Sequence, residues 1–438
     1  MEVIKFGGTS VGSPEGMSNI ARIIKSKTPK IVVLSAFSGD TNTLEKICKA
    51  LYVKDSEEAN KLIDQLESKH NQFIDTLIES ELEKEAAHET VSAHLNGIRA
   101  YTKKLINLFM ERSILAQGEM ISTNIFYHYL RSLGEKPVLL SALDFMRIDN
   151  SAEPDAKYIA ENLDFELAKY PNKEIFITQG YICRNAYGEI DNLKRGGSDY
   201  TASLIGAAIK ASNIQIWTDI DGMHNNDPRY VPNTKPIKEL TFKEAAELAY
   251  FGAKILHPSS IRPAEEKGIP VWLKNTMKPE AYGTLISDST QSHGFKAVAA
   301  KDGITAIKIR SGRMLMAYGF LRSVFEVFER FKTPIDMITT SEVAVSVTID
   351  DETHLEETLK ELEGFGQVEV DRDLSIVCVV GDFLQDGHGY AAIIFEALKE
   401  IPIRMISYGG SNNNISLLVR SGDKKAALIA LNKGVFKL

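Results

Sequence analysis

Two glycine pairs with cations beside them are the residues best suited to chemistry: Lys5-Phe6-Gly7-Gly8-Thr9-Ser10-Val11, and Lys194-Arg195-Gly196-Gly197-Ser198-Asp199 far downstream. Adjacent glycines let backbone N–H groups approach the oxygens of an anion, and Lys5 adds a point charge, so the first pair reads as a phosphate cradle. Ser13-Pro14 supplies a helix cap and first helical residue just beyond it. The spacing is neither G-x-x-x-x-G-K-[ST] nor G-x-G-x-x-G, which excludes a Walker loop and a dinucleotide fingerprint. In the second pair, a guanidinium beside a helix start suits a carboxylate, held by Arg195 and free backbone N–H groups. Each feature alone has a plainer alternative. Lys5 fits a turn with a solvated charge, and Ser35, Ser38, Gly39, Asp40 and Thr41 fit a capping loop. Asp199 suits a helix dipole, and Lys254 suits a snorkelling side chain. Trp217-Thr218-Asp219, Asp227-Pro228-Arg229 and Gly252-Ala253-Lys254 complete the set, the last carried by a helix that opens on a Thr241 to Glu244 capping box.

Short β-branched runs followed by helical patterns must position these loops. Strands are expected at Val3 to Phe6, Lys30 to Ser35, Pro137 to Leu140, Glu174 to Thr178, Ile214 to Thr218 and Pro270 to Trp272. Their alternation with helices predicts an α/β fold with a mostly parallel sheet sandwiched by helices. Ligands in such sheets sit beyond the carboxyl ends of the strands, where all of these loops fall. Between Leu51 and Asn96 there is neither Gly nor Pro, which predicts long helices beside the sheet.

The polar run from about Thr284 to His293 reads as a linker. Beyond it, Ile304 to Arg310, Gly319 to Phe331, Ile335 to Thr340, Val343 to Ile349, Leu355 to Leu362 and Gln367 to Val370 make a ferredoxin-like β-α-β-β-α-β unit. A second copy begins with Ser375 to Val380 and Tyr390 to Lys399. It continues through Ile403 to Tyr408, Ile415 to Val419 and Lys425 to Lys433, one strand short. Lys296 to Ala300 can close it, which inserts the first unit into the second. Ile335-Asp-Met-Ile answers Ile403-Arg-Met-Ile in letters too.

The bulk numbers bound the function. A chain of 438 residues, 44% hydrophobic, is expected to form two or three domains. With 51 basic against 59 acidic residues, it has no global reason to bind nucleic acid or an anionic membrane, so any anion is gripped locally. Cys48, Cys183 and Cys378 fit neither a disulfide framework nor a zinc cluster, and no stretch approaches the roughly 18 apolar residues of a membrane span. A cytoplasmic location is expected. Asp371-Arg-Asp-Leu374 mimics part of a protein-kinase catalytic loop, but the accompanying motifs are missing.

Along essentially its whole length the chain resembles the aspartate kinases of the amino-acid-kinase family. The likeness is carried by Lys5-Phe-Gly-Gly-Thr-Ser-Val, Gln117-Gly-Glu119 with Ser122-Thr123, Arg195-Gly-Gly-Ser-Asp199-Tyr-Thr-Ala, Trp217-Thr-Asp219 and Phe251-Gly-Ala-Lys254-Ile-Leu-His-Pro258. The resemblance implies an amino-acid-kinase fold followed by two ferredoxin-like βαββαβ ACT domains, and the monofunctional type. The expected domains are 1–290 catalytic, 304–372 first ACT, and 295–303 plus 373–438 second ACT. It further implies L-aspartate with its α-carboxylate on Arg195, its amino group near Glu119, and contacts from Ser35, Thr41 and Ser198. ATP would take Gly7, Gly8, Thr9, Ser10, Thr218, Asp219, His224, Arg229, Lys254 and Ile255, with Mg²⁺ held mainly through its phosphates rather than by protein ligands. Lys5 and Asp199 are the expected catalytic residues, with Lys254 assisting on the phosphate side. Other acceptors, such as glutamate, acetylglutamate, carbamate or a nucleoside monophosphate, and an inactive amino-acid sensor, are the alternatives.

Arg313 to Leu321 and Pro334 to Glu342 resemble the lysine-sensitive members. This implies a lysine site of Met314, Ala317, Gly319, Phe320, Leu321, Pro334, Ile335, Asp336, Thr340, Ser341 and Glu342. Gly319 at a helix start can present N–H groups to an α-carboxylate, and Asp336 can pair with an ammonium. Threonine is the rival effector, and a homodimer through the ACT domains, or a higher oligomer, is expected. Two positions depart from the family pattern: Lys194 stands in place of glycine, and His224 in place of an aromatic.

Overall fold

The computed structural model describes residues 1–193, 196–252, 256–290, 293–312, 314, 318–383 and 388–438. The chain forms two compact units, Met1–Met223 with Leu256–Ser289, and His224–Ile255 with Thr290–Leu438.

In the first unit the strands are β1 (Glu2–Phe6), β2 (Lys30–Leu34), β3 (Val138–Leu140), β4 (Ile175–Gln179), β7 (Ile214–Thr218), β9 (Val271–Asn275) and β10 (Thr284–Ser287); β5 (Ile182–Arg184) and β6 (Ile190–Asn192) form a separate hairpin. β8 (Glu239–Thr241) belongs to the second unit. The sheet of the first unit runs β3-β4-β2-β1-β7-β9-β10. Every neighbouring pair from β3 to β9 is parallel, and β10 is antiparallel to β9. Residues 31 to 34 are all buried, as expected of parallel strands covered on both faces. The long helices expected between Leu51 and Asn96 are present as Ser56–Leu77 and Glu81–Arg99, preceded by helix Asp40–Tyr52. Their start signals are local: Asp55 accepts a hydrogen bond from the backbone of Glu58.

One expectation fails here. Thr284 to Ser287, assigned to a linker, is strand β10, with alternate residues buried and Thr284 Oγ1 accepting from the backbone N–H of Met223 at 2.9 Å. Its polar composition hides a strand whose threonine is satisfied inside the protein.

The second unit contains a six-stranded sheet in the order β12 (Ile338–Thr340), β13 (Ala344–Ile349), β11 (Gly294–Arg310), β14 (Gln367–Asp382), β16 (Asn414–Arg420), β15 (Met405–Ser407), all antiparallel. Lys296 to Ala300 and Ile304 to Arg310, expected as separate strands, are one continuous β11. Gln367 to Val370 and Ser375 to Val380 likewise merge into β14. Positive φ at Gly303 (73°) and Asp373 (56°) is absorbed as register shifts rather than turns. The amino-terminal part of β11 pairs with the carboxyl-terminal part of β14, Ala297 opposite Val380. Its other part lies between β13 and the start of β14, with Thr305 opposite Ile349 and Arg310 opposite Gln367.

His224–Ile255, expected within a 1–290 domain, packs with the second unit. The side chain of Asn226 donates to Leu428 O at 2.9 Å, Asn225 donates to Asn432 at 3.1 Å, and Val231 joins the hydrophobic core built on Val377, Ile415 and Leu428. Among the described residues no helix is long and apolar enough to cross a membrane.

Candidate active site

At the end of β1 the backbone N–H of Gly7 bonds to Trp217 O, and the chain turns at once into the short helix Gly8–Val11. A Cβ on Gly8 would lie 3.0 Å from Ala36 O, so the cradle and the loop after β2 are in near contact. Lys5 turns back towards this corner. Its Nζ is 2.6 Å from Asp199 Oδ1, and both side chains are largely buried. Asp199 stands in the first turn of helix Gly197–Ile209. Gly196 and Gly197 both adopt left-handed φ, 71° and 47°, and a Cβ on Gly196 would fall 2.6 Å from Ser260 Cβ. Only glycine makes that turn without strain, so the pair exists to aim the helix start that carries Ser198 and Asp199.

Beside the ion pair is a set of hydroxyls. Ser35 Oγ donates to Ser198 Oγ at 2.8 Å, and Ser122 Oγ donates to Ser35 O at 2.8 Å. Gly180 admits Ser198, whose Oγ would lie 2.3 Å from a Cβ at 180. Glu119, 5% exposed, accepts from the backbone N–H of Ala36 at 3.2 Å. Burial pushes its carboxyl up to about 8; the Ala36 N–H pulls the other way, and the nearby charge of Asp40 adds a smaller upward push. A carboxyl raised this far holds its proton through most of the neutral range, and a cation placed beside it favours its ionised form.

Lys5, Gly7, Gly8, Ser35, Glu119, Ser198 and Asp199 are thus brought to one edge of the sheet, and Thr41 follows Asp40 in the helix that leaves the same loop. Ser10 Oγ pairs with Thr276 Oγ1 at 2.7 Å, and Thr276 N donates to Thr218 O. Thr218 therefore ends β7 beside the cradle, with Asp219 next in the chain, while Thr9 is exposed. His224 and Arg229 lie in the second unit: His224 Nδ1 is 2.8 Å from Thr234 Oγ1, and Arg229 is clamped to Asp227 at 2.6 Å. Lys194, Arg195, Lys254, Ile255 and Ala317 lie outside the described residues.

Sequence reading missed several neighbours. Asp40 is buried between Lys69 at 2.6 Å and His70 at 2.7 Å, both on helix Ser56–Leu77. No spacing rule announces a pair thirty residues apart. Lys274, near the end of β9, lies over the rings of Trp217 and Trp272 at 5.6 and 5.4 Å, and burial lowers its pKa. Its place at a strand end was the one signal available.

In the second unit, Gly319 is the left-handed N-cap of helix Phe320–Arg330. Pro334, Ile335 and Asp336 precede β12, whose last residue Thr340 leads to Ser341 and Glu342. Met314, Phe320 and Ile335 pack on one hydrophobic core, and Leu321 is exposed.

This architecture defines a class. The profile of the amino acid kinase family matches residues 1–275, that of an ACT domain matches residues 377–434, and the chain belongs to the amino acid kinase family. Within it the chain stands among the aspartokinases. It is 35% identical to lysine-sensitive aspartokinase 3 of Escherichia coli K12, over 99% of both chains. It is 34% identical to chloroplastic aspartokinase 1 of Arabidopsis thaliana, over 99% of this chain and 80% of that one. The structure of E. coli aspartokinase III with aspartate and ADP, in its R-state, superposes with a TM-score of 0.85 at 33% identity over 100% of both chains. The T-state with lysine and aspartate gives 0.82 at 33% identity, over 100% of this chain and 99% of that one.

Proposed function

We propose that the chain transfers the γ-phosphoryl group of ATP to the β-carboxylate of L-aspartate, giving 4-phospho-L-aspartate and ADP, the first step towards lysine, threonine and methionine, and that lysine restrains it. The carrying observation is the pair Lys5–Asp199 at 2.6 Å in a glycine-walled corner beside a buried carboxyl, Glu119. The corner offers a cation for a phosphoryl group, and Glu119 an anion for an ammonium.

The acceptor carboxylate is already ionised at neutral pH, so no base is required. Its oxygen attacks the γ-phosphorus while the bond to the β–γ bridging oxygen breaks, and ADP leaves with that electron pair. Catalysis is then positioning and charge neutralisation. Lys5 meets the transferring phosphoryl group, and Asp199 holds Lys5 in line. Glu119, Ser35, Thr41, Ser198 and Arg195 bind and orient aspartate. Gly7, Gly8, Thr9, Ser10, Thr218, Asp219, His224, Arg229, Ile255 and Lys254 serve ATP. Among the described residues no three acidic, histidine or cysteine side chains converge on a metal position. Asp199 Oδ1 meets Lys5 among the described residues, and Mg²⁺ held mainly through the ATP phosphates would neutralise phosphate charge beside that pair.

The same reading includes a first ACT unit of 304–372 inserted in a second of 295–303 with 373–438, and a cytoplasmic homodimer through these units. Buried free thiols at Cys48, Cys183 and Cys378 fit a reducing compartment. Ile338 on β12 and Ile406 on β15 are exposed and would give a contact between copies apolar side chains. Hydroxylamine trapping of the acyl phosphate, with aspartate, glutamate and no acceptor in parallel, tests the activity. Hydroxamate from aspartate alone is expected, and preference for glutamate or indifference to acceptor refutes it.

A further inference from the structure

One residue of the expected effector set is already engaged. The Asp336 carboxylate has 0% of its side chain exposed, and its Oδ1 meets the Lys301 ammonium at 2.7 Å and the Tyr250 hydroxyl at 2.7 Å. Oδ2 is buried and takes no hydrogen bond among the described residues. Lys301 also reaches Asp350 at 2.8 Å and lies over the Tyr250 ring at 4.5 Å. A ligand ammonium that takes Oδ1 must therefore move Lys301 or Tyr250.

Both covering groups belong to a clamped corner. Tyr250 ends helix Phe242–Tyr250, and Gly252 follows at φ 125°, where a Cβ would lie 2.2 Å from Ala300 O. Ala300 precedes Lys301 in β11, so the helix end and the strand bearing the cation touch backbone to backbone. The next residues in the chain are Ala253 and Lys254 of the Phe-Gly-Ala-Lys motif.

We infer that Lys301 is an internal stand-in for the effector: its ammonium fills the seat on Asp336, a free amino acid carrying the same primary ammonium binds by displacing it, and Tyr250 passes that exchange to Gly252. The inference rests on the lysine-restrained kinase reading above. Exchange of one primary ammonium for another leaves the Coulomb energy nearly unchanged, so the switch runs close to balance and responds to effector concentration.

Full-length protein tests it through two readouts, L-lysine binding by calorimetry and inhibition of hydroxamate formation. A stand-in that fills the seat about nine-tenths of the time weakens apparent affinity about tenfold, so Lys301→Gln should bind lysine about tenfold more tightly. Lys301→Arg keeps a cation and should bind no more tightly than wild type. Tyr250→Phe should bind lysine at least as well as wild type but show a smaller maximal inhibition. Unchanged or weaker lysine binding by a folded Lys301→Gln protein overturns the inference, as does an unaltered inhibition curve for Tyr250→Phe. If Lys301→Gln does not fold, the Tyr250→Phe comparison decides alone. Wild type that forms aspartyl hydroxamate yet neither binds nor responds to lysine overturns the inference together with lysine restraint and leaves the kinase reading standing.

Discussion

Replacement of Glu119 by glutamine separates what the buried carboxyl does for the fold from what it does for the substrate. Burial raises this group from 4.5 to about 8 in the folded protein. Between those values the folded form holds a proton that the unfolded chain has shed, so stability falls as pH rises through the window, by about 1.4 kcal/mol per unit. From about pH 6 to about pH 8 the loss from this group is roughly 2 kcal/mol once the onset of ionisation is allowed for. Glu119→Gln keeps an acceptor for Ala36 N and removes the titration, so its urea-unfolding free energy should gain on wild type by about that amount over the same interval. Aspartate binding should behave in the opposite sense. In wild type an arriving ammonium draws the proton off Glu119, so affinity strengthens with pH towards 8. The variant lacks that dependence and binds aspartate about thirtyfold more weakly near pH 8, a loss of about 2 kcal/mol. Unfolding curves and aspartate KM values at four pH settings suffice. A stability difference between the two proteins that does not change with pH refutes the reasoning.

Lys5→Ala should lower kcat by about 10²–10³ with little change in aspartate KM, and a variant keeping more than a tenth of the rate would remove Lys5 from the chemistry. Asp40→Asn weakens the buried contacts that this side chain makes with Lys69 and His70 and should cost about 2 kcal/mol in urea unfolding; an unchanged midpoint would show those contacts to be idle. Gly196→Ala places a Cβ against Ser260 in a left-handed turn. It should lose about 2 kcal/mol of stability and most of the activity, whereas wild-type kcat would mean that the helix start need not be held so tightly.

The parallel strands were legible because residues such as those from Ile31 to Leu34 are apolar without alternation, a pattern demanded by burial on both faces. The glycine pairs were equally legible, since a left-handed turn or a near backbone approach admits few other residues. Strand β10 was not, because the threonine and serine that suggest a linker are also comfortable in a half-buried strand. Nor were β11 and β14 legible as continuous strands: Gly303 and the charged residues before Asp373 look like turn chemistry, and only cross-strand hydrogen bonds make them bulges. Asp40 with His70, and Asp336 with Lys301, are invisible for a further reason. Polar contacts formed across thirty or more residues depend on the finished fold and leave no periodic trace.

Strands β11 and β14, seventeen and sixteen residues long, each thread both halves of the sensory sheet. At about 3.3 Å per residue each spans roughly 50 Å, so the halves share two girders instead of owning separate walls. Neither half can be excised and transplanted as a cassette, because the cut would strip its sibling of two inner strands. Amide exchange along both girders should accordingly run in step, as one cooperative block. Evolution could retune each half's ligand taste through its helices and outer strands while the beams that join them stay fixed.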